Sequence, residues 1–489
     1  MSLSFGNSAF YLYLETILNL GLGYAFWIIV SLLLGASNTG VSSASITLAT
    51  IITMVSTIGI STGIQRFLGK AKAEHSEEVF NSISKFAFLF TLMVMVLSSI
   101  IVVLASASLV HIFKIPSGMI TLIIISSVSY AVALTLRSVI ISSSVTRVLV
   151  IILLIGSVIR LVTIIPIYAY HLGSEGIVLS YTTVNISGSL LYLYFTRRNI
   201  FGRSIGTRLH IKKQILISSI SGWIPNVVSL IGTQSGILFI FGLKGAAEAG
   251  VYFIAFSIFS ALSALPMSTI SMAFPVMSGM KHGREKLLWQ ATKMALFPII
   301  PVAVVLGVYP SLFLSLFGTD FASGQLILSL LIVSVVPIEI NRAVGNLAYA
   351  HGKYIQVSVL GITPSLIRIA FYVLLAPTYG SNGAALAFLI GSFAGLIIAV
   401  LISVRSHYDF PTKDILAISG IPVIIGTVVY LVNINQLLGI VLILIGSYIS
   451  VARLRIVRYY EIERMICSIF MKPNKISRQL LSLARTIFI

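Results

Sequence analysis

Residues 157–181 read SVIRLVTIIPIYAYHLGSEGIVLSY, and residues 365–388 read SLIRIAFYVLLAPTYGSNGAALAF. Each stretch sets a serine three residues before an arginine, follows with an apolar run and a proline, and opens the next run with Gly-Ser-x-Gly. The offset is 208 residues at Arg160 and Arg368 and 207 at the glycines. A charge in the middle of a membrane span costs about 2.5–3.5 kcal/mol on insertion scales, so such an arginine is placed for a reason. Two further matches sit at similar offsets. Arg137 and Arg342 occupy corresponding late positions in their runs, and the turn GASNTGVSSA at 35–44 resembles KGAAEAGVYFIA at 244–255, offset by 210. Three matches at nearly one offset indicate an internal duplication, a construction common in transporters.

Composition sets the class. Hydrophobic residues make up 57% of the 489 and charged ones only 9%. A soluble chain cannot bury that much apolar surface and keep a polar exterior. Runs such as Leu149–Ile155, continuously apolar, and Leu326–Val336, broken only by two serines, lack the alternation of membrane β-barrel strands. No secretory signal is expected at the N-terminus, because residues 1–8 lack Lys and Arg. Cys467 is the single cysteine and no two histidines stand at ligand spacing, so neither a disulfide nor a metal site is expected.

Windows of about 20 apolar residues predict fourteen transmembrane helices. Six fall at 8–34, 40–65, 80–110, 119–142, 148–170 and 176–196. Six more fall at 214–242, 247–275, 294–317, 323–350, 354–376 and 382–403, and two short ones at 415–432 and 436–451. The expected organisation is an N-terminal six-helix repeat (1–196), a basic connector (197–213), a C-terminal six-helix repeat (214–403), two extra spans (404–451) and a basic amphipathic tail (452–489). Of 32 Lys and Arg, 25 fall in the even-numbered loops and the tail, and only Lys114 and Lys244 in the odd-numbered loops. Cytoplasmic loops hold positive charge, so both termini are expected in the cytoplasm. This layout explains the net charge of +19 without nucleic acid. Two six-helix halves enter the membrane in the same sense, which implies parallel repeats with a substrate path between them.

The stretches STIGISTGIQRFLGKAKAEHSEEVFNSI (56–83) and AAEAGVYFIAFSIFSALSALPMSTISMAFPVMS (246–278) resemble the polysaccharide-export branch of the multidrug/oligosaccharidyl-lipid/polysaccharide (MOP) flippase superfamily. O-antigen-type flippases and lipid-linked oligosaccharide translocases belong to it. The resemblance spans roughly residues 8 to 405. It implies a multi-pass protein of the cell membrane, not an enzyme and without cofactor, that moves a polyprenyl-(pyro)phosphate-linked glycan from the cytoplasmic to the outer leaflet through a cationic cavity.

Five basic residues remain inside spans: Lys85, Arg137, Arg160, Arg342 and Arg368. The planar guanidinium fork suits bidentate binding of phosphate, so Arg160 and Arg368 are the leading candidates for holding the headgroup. Donation to backbone carbonyls, or snorkelling, is the alternative for both. Ser365, Arg368 and Tyr372 share one helix face. Arg342 has Glu339 three residues before it, so it either faces the cavity or forms a local pair. Arg137 faces the cavity or reaches headgroups. Glu15 is either a coupling carboxylate or an ion-pair partner of a buried arginine. Asn226, Ser229 and Thr233 make one polar stripe and Tyr181, Asn185 and Ser189 another, fit for sugar hydroxyls or for helix packing.

Partners beyond the lipid-linked glycan are anionic lipids of the cytoplasmic leaflet and glycan-assembly enzymes, with no nucleic acid and the chain a monomer. A cation-coupled multidrug exporter is the alternative function, and acidic cavity residues would favour it. A membrane glycosyltransferase is remote, because no Asp-x-Asp motif or long outer loop is present.

Overall fold

The computed structural model describes residues 2–143, 145–203, 209–280, 282–408 and 412–454. The expected tail from residue 455 onward and residues 204–208 of the connector lie outside the described residues. Every regular element among the described residues is helical. Twelve helices are long and apolar enough to cross a membrane, which makes this a multi-pass membrane protein.

The chain divides into two compact units. The first holds residues 1–253 with the short segments 316–321 and 376–381. Its helices are α1 (Ser2–Ser56), α2 (Ile60–Ala73), α3 (Glu77–Leu104), α4 (Ser106–Phe113), α5 (Met119–Ser143), α6 (Arg147–Val162), α7 (Ile164–Ala169), α8 (Gly173–Phe201) and α9 (Leu209–Lys244). The start of α10 (Ala246–Gly279) completes it. The second unit holds the rest of α10, then α11 (Arg284–Val308), α12 (Pro310–Leu314), α13 (Gln325–Val333), α14 (Val335–Ala350), most of α15 (Tyr354–Arg405), α16 (Thr412–Leu431) and α17 (Gln436–Arg453).

Two helices are far longer than a bilayer needs, and each is broken by a glycine. At 1.5 Å per residue, the 55 residues of α1 would reach about 80 Å unbroken. Gly35 stops this with φ 75° and a non-helical ψ. Gly380 does the same inside α15 with φ 58°. Only glycine enters these conformations without steric cost, and both fall between two expected spans.

The expected span 40–65 ends differently. α1 stops at Ser56, Ile58 and Gly59 take left-handed backbone, and residues 60–73 form a separate helix. Ile60, Ile64, Leu68 and Ala71 bury one face of α2 while Arg66, Lys70 and Lys72 lie off it. The apolar face of an amphipathic helix thus follows the true span directly and hides the turn from a hydropathy window.

Each unit packs its own core. In the first, Ile60, Ile64, Phe80, Ile83, Val139 and Ile215 make one cluster, and Leu136, Leu149, Ile152 and Tyr192 another. In the second, Leu288, Trp289, Val344, Leu347 and Leu360 pack together. The Tyr309 hydroxyl donates to the Ile434 carbonyl at 3.0 Å and Tyr448 to that of Pro298 at 3.1 Å, tying α17 and its preceding turn to α11. Leu97, Ile100, Ile101 and Leu104 on α3 stay exposed, as suits helices whose solvent is lipid.

One contact in the first unit joins two segments whose sequences match at an offset of 210. A Cβ on Gly40 would lie 1.7 Å from the Ala246 carbonyl oxygen, and one on Gly250 would lie 2.1 Å from that of Ala36. The contact is reciprocal and close enough that any side chain at either glycine drives the segments apart.

Candidate functional site

Arg160 and Arg368 each lie over an aromatic ring. Arg160, near the end of α6, places its guanidinium carbon 4.5 Å from the ring centre of Tyr181 on α8. Arg368 places its own 4.2 Å from the ring of Phe388. Tyr181 and Phe388 are related by the 207-residue offset of the glycines. Both pairs are cation–π contacts within one helix hairpin.

Beyond that the two sites differ. Arg368 is 5% exposed. Its Nε donates to the Phe388 carbonyl at 3.4 Å and its Nη2 to Ser392 Oγ at 3.1 Å. Arg160 is only half-buried, and its Nε is covered yet has no hydrogen-bond partner among the described residues. Arg160 also lies 5.8 Å from the Phe26 ring, and Phe26, Trp27, Tyr181 and Phe253 form a connected edge-on aromatic cluster beside it. A covered donor left without a partner costs about 1–3 kcal/mol, so Arg160 holds unused hydrogen-bonding capacity.

The other span arginines are ion-paired. Arg137 donates to Glu15 through Nε at 3.2 Å and Nη2 at 2.7 Å, a fork reaching from α5 to α1. Arg342 Nη1 donates to Glu339 Oε1 at 2.6 Å within α14. The Glu339 side chain is 0% exposed while that of Arg342 is 39% exposed. The two arginines stand 205 residues apart in the sequence and draw the neutralising carboxylate from different places.

The remaining sequence candidates scatter. Tyr372 and Ser365 are buried beside Arg368 on α15, and Ser365 donates to the Gly361 carbonyl. Asn185 turns to Ser126 Oγ at 3.1 Å. Asn226 is exposed on α9, and Thr233 donates back to the Ser229 carbonyl at 3.0 Å. Ser189 donates to that of Ile186. In the charged loop, Lys72 donates to the Ser143 carbonyl, and partial burial holds its amine below the usual lysine range.

Sequence patterning missed a carboxylate at a glycine break. Glu248 Oε1 accepts from the Ser381 backbone N at 2.6 Å and from its hydroxyl at 2.9 Å. Gly380 makes this possible, since a Cβ there would sit 2.1 Å from the same oxygen. Negative charge at a helix start is favourable. The first-half counterpart is neutral: Asn38 Oδ1 lies beside Gly173, 2.9 Å from where a Cβ would be. The offset of 210 between Asn38 and Glu248 was the available signal. Among the described residues no group of three or more His, Cys, Asp or Glu could hold a metal ion.

No protein-family model and no curated protein matches the sequence. Solved structures do. The lipid II flippase MurJ in an inward closed conformation aligns with TM-score 0.67 at 18% identity, over 90% of this chain and 97% of that one. An inward-facing multidrug resistance MATE family transporter of the MOP superfamily aligns with TM-score 0.64 at 16% identity, over 80% of this chain and 94% of that one. A MOP superfamily transporter from Pyrococcus furiosus, described as having a binding pocket of reversed polarity, aligns with TM-score 0.53 at 14% identity, over 82% and 95%. The chain therefore has the fold shared by MOP superfamily transporters and the lipid II flippase MurJ.

Proposed function

We propose that the protein is a flippase that moves a polyprenyl-phosphate- or pyrophosphate-linked glycan from the cytoplasmic to the outer leaflet by alternating access through a cationic cavity. Breaks at Gly35 and Gly380 that divide two long helices support a reading of fourteen spans, and the basic even-numbered loops support cytoplasmic termini. The observation that carries the substrate class is Arg160: a half-buried guanidinium, held by aromatic rings and with an unsatisfied donor, inside a membrane span. An anion is the ligand that such a group binds best. The span carboxylates Glu15 and Glu339 each form an ion pair with an arginine, so neither is an unpaired charge. A flippase among the fold neighbours adds support.

Leaflet-resolved accumulation of lipid-linked glycan, measured in cells carrying Arg160→Ala and Arg368→Ala together, tests the reading. The expected result is glycan retained on the cytoplasmic leaflet. Normal delivery to the outer leaflet overturns it.

A further inference from the structure

The two arginine hairpins differ at one helix–helix contact. In the second half, Gly391 faces Arg368: a Cβ there would lie 2.3 Å from Arg368 Cγ and 2.8 Å from the Pro364 carbonyl oxygen. The first-half counterparts, by the same offsets, are Val184 for Gly391 and Gly156 for Pro364. Val184 Cγ1 sits 3.3 Å from where a Gly156 Cβ would be. The small residue has changed helices. Where the second half leaves a slot against α15, the first half fills it with a branched side chain.

The arginines respond accordingly. Arg368 lies in the slot, and its Nε reaches the carbonyl of its aromatic partner, Phe388. The same atom of Arg160 has no partner, and the equivalent carbonyl belongs to Tyr181. Ser392, which accepts from Arg368 Nη2, is replaced by Asn185, whose amide donates to Ser126 Oγ. Among the described residues neither of these two contacts of Arg368 is repeated at Arg160.

We propose that Val184 is a positioning residue that keeps Arg160 out of the interhelical slot, so that the duplicated arginine pair yields one anion site, at Arg160, and one buried clamp, at Arg368. The ligand chemistry is a phosphate or diphosphate group gripped by a guanidinium over an aromatic ring. This rests on the anion-binding reading of Arg160 given above. Val184 touches no ligand; it acts through the rotamer of Arg160.

The test is calorimetric titration of the detergent-purified full chain with farnesyl diphosphate and, in a parallel arm, inorganic pyrophosphate. The wild type is expected to bind with one site per chain. Affinity for both probes alike assigns the site to the diphosphate alone, and a preference for farnesyl diphosphate assigns it to a lipid headgroup; either agrees with the proposal. Arg160→Ala is expected to weaken binding by about 10-fold or more, the range of a charge-assisted hydrogen bond. Arg368→Ala, in whatever fraction stays folded, is expected to change affinity by less than about 3-fold. Val184→Gly opens the slot and is expected to lose binding as far as Arg160→Ala does, with no further loss when the two are combined. Val184→Thr, of the same shape, is expected to bind like the wild type. A wild type that binds neither probe overturns the anion reading and this proposal with it. A wild type that binds while Val184→Gly binds equally well, or while Arg368→Ala weakens binding as much as Arg160→Ala, overturns this proposal alone.

Discussion

The hairpins around Arg160 and Arg368 share a sequence pattern and solve the same problem in opposite ways. Both keep the arginine and the aromatic ring beneath it. The second hairpin satisfies its guanidinium internally through Phe388 and Ser392. The first leaves a donor unsatisfied. A buried polar group is stable only when paired, so a copy without a partner is the one with capacity for a ligand. The same divergence runs through the other arginine pair. Arg137 is neutralised from a different helix by Glu15, and Arg342 from within its own helix by Glu339. Arginines at corresponding sequence positions thus take their counter-charge from different places.

The comparison breaks most visibly at Glu339. Arg342→Ala strands a carboxylate that is wholly buried, and loss of one partner of a buried pair costs about 3–5 kcal/mol. Thermal unfolding in detergent should show a large drop in Tm, and Glu339→Gln on that background should restore most of it. Arg137→Ala should cost less, because Glu15 retains 12% exposure. A drop as large for Arg137→Ala would show that the two pairs are equally desolvated.

At the glycine break, Glu248→Ala removes a charged acceptor from the Ser381 amide and hydroxyl. The expected cost is about 1.5–3 kcal/mol. Hydrogen exchange at residues 381–385 should quicken while exchange in α6 stays unchanged. The neutral counterpart, Asn38→Ala, should have a smaller effect at 174–178.

The slot gives a third contrast. Gly391→Ala overpacks Arg368 and should cost about 1–3 kcal/mol by thermal unfolding, whereas Val184→Ala should cost less than that. The smallest effect belongs to the ring itself. Tyr181→Leu keeps the apolar bulk and removes the cation–π contact, worth about 0.5–2 kcal/mol, so binding of farnesyl diphosphate should weaken modestly without loss of fold.

Much of this was legible in the sequence because membrane physics writes large. The glycines at 35, 173, 245 and 380 take left-handed backbone, which side chains adopt only under strain, and they fall within the matching sequence stretches. The arginines stand out because charge in a span is rare. The Glu339–Arg342 pair follows from a spacing of three on one helix. What stayed hidden depends on which helices meet. Glu15 and Arg137 are 122 residues apart, and no local pattern joins them. Gly391 and Val184 are both ordinary residues of apolar spans, and neither charge nor spacing marks the contact that each makes with its neighbouring segment. The turn at Ile58 and Gly59 vanished into an apolar run because α2 buries its own apolar face against the protein rather than crossing a bilayer.

The asymmetry of the two arginines can be read directly by treating the folded protein with phenylglyoxal, which modifies accessible guanidinium groups, and mapping adducts by mass spectrometry with and without farnesyl diphosphate. Arg160 is expected to react and to be protected by the diphosphate, while Arg368 stays unmodified in both. Modification of Arg368 at a comparable rate, or an Arg160 that the diphosphate leaves unprotected, would contradict the account.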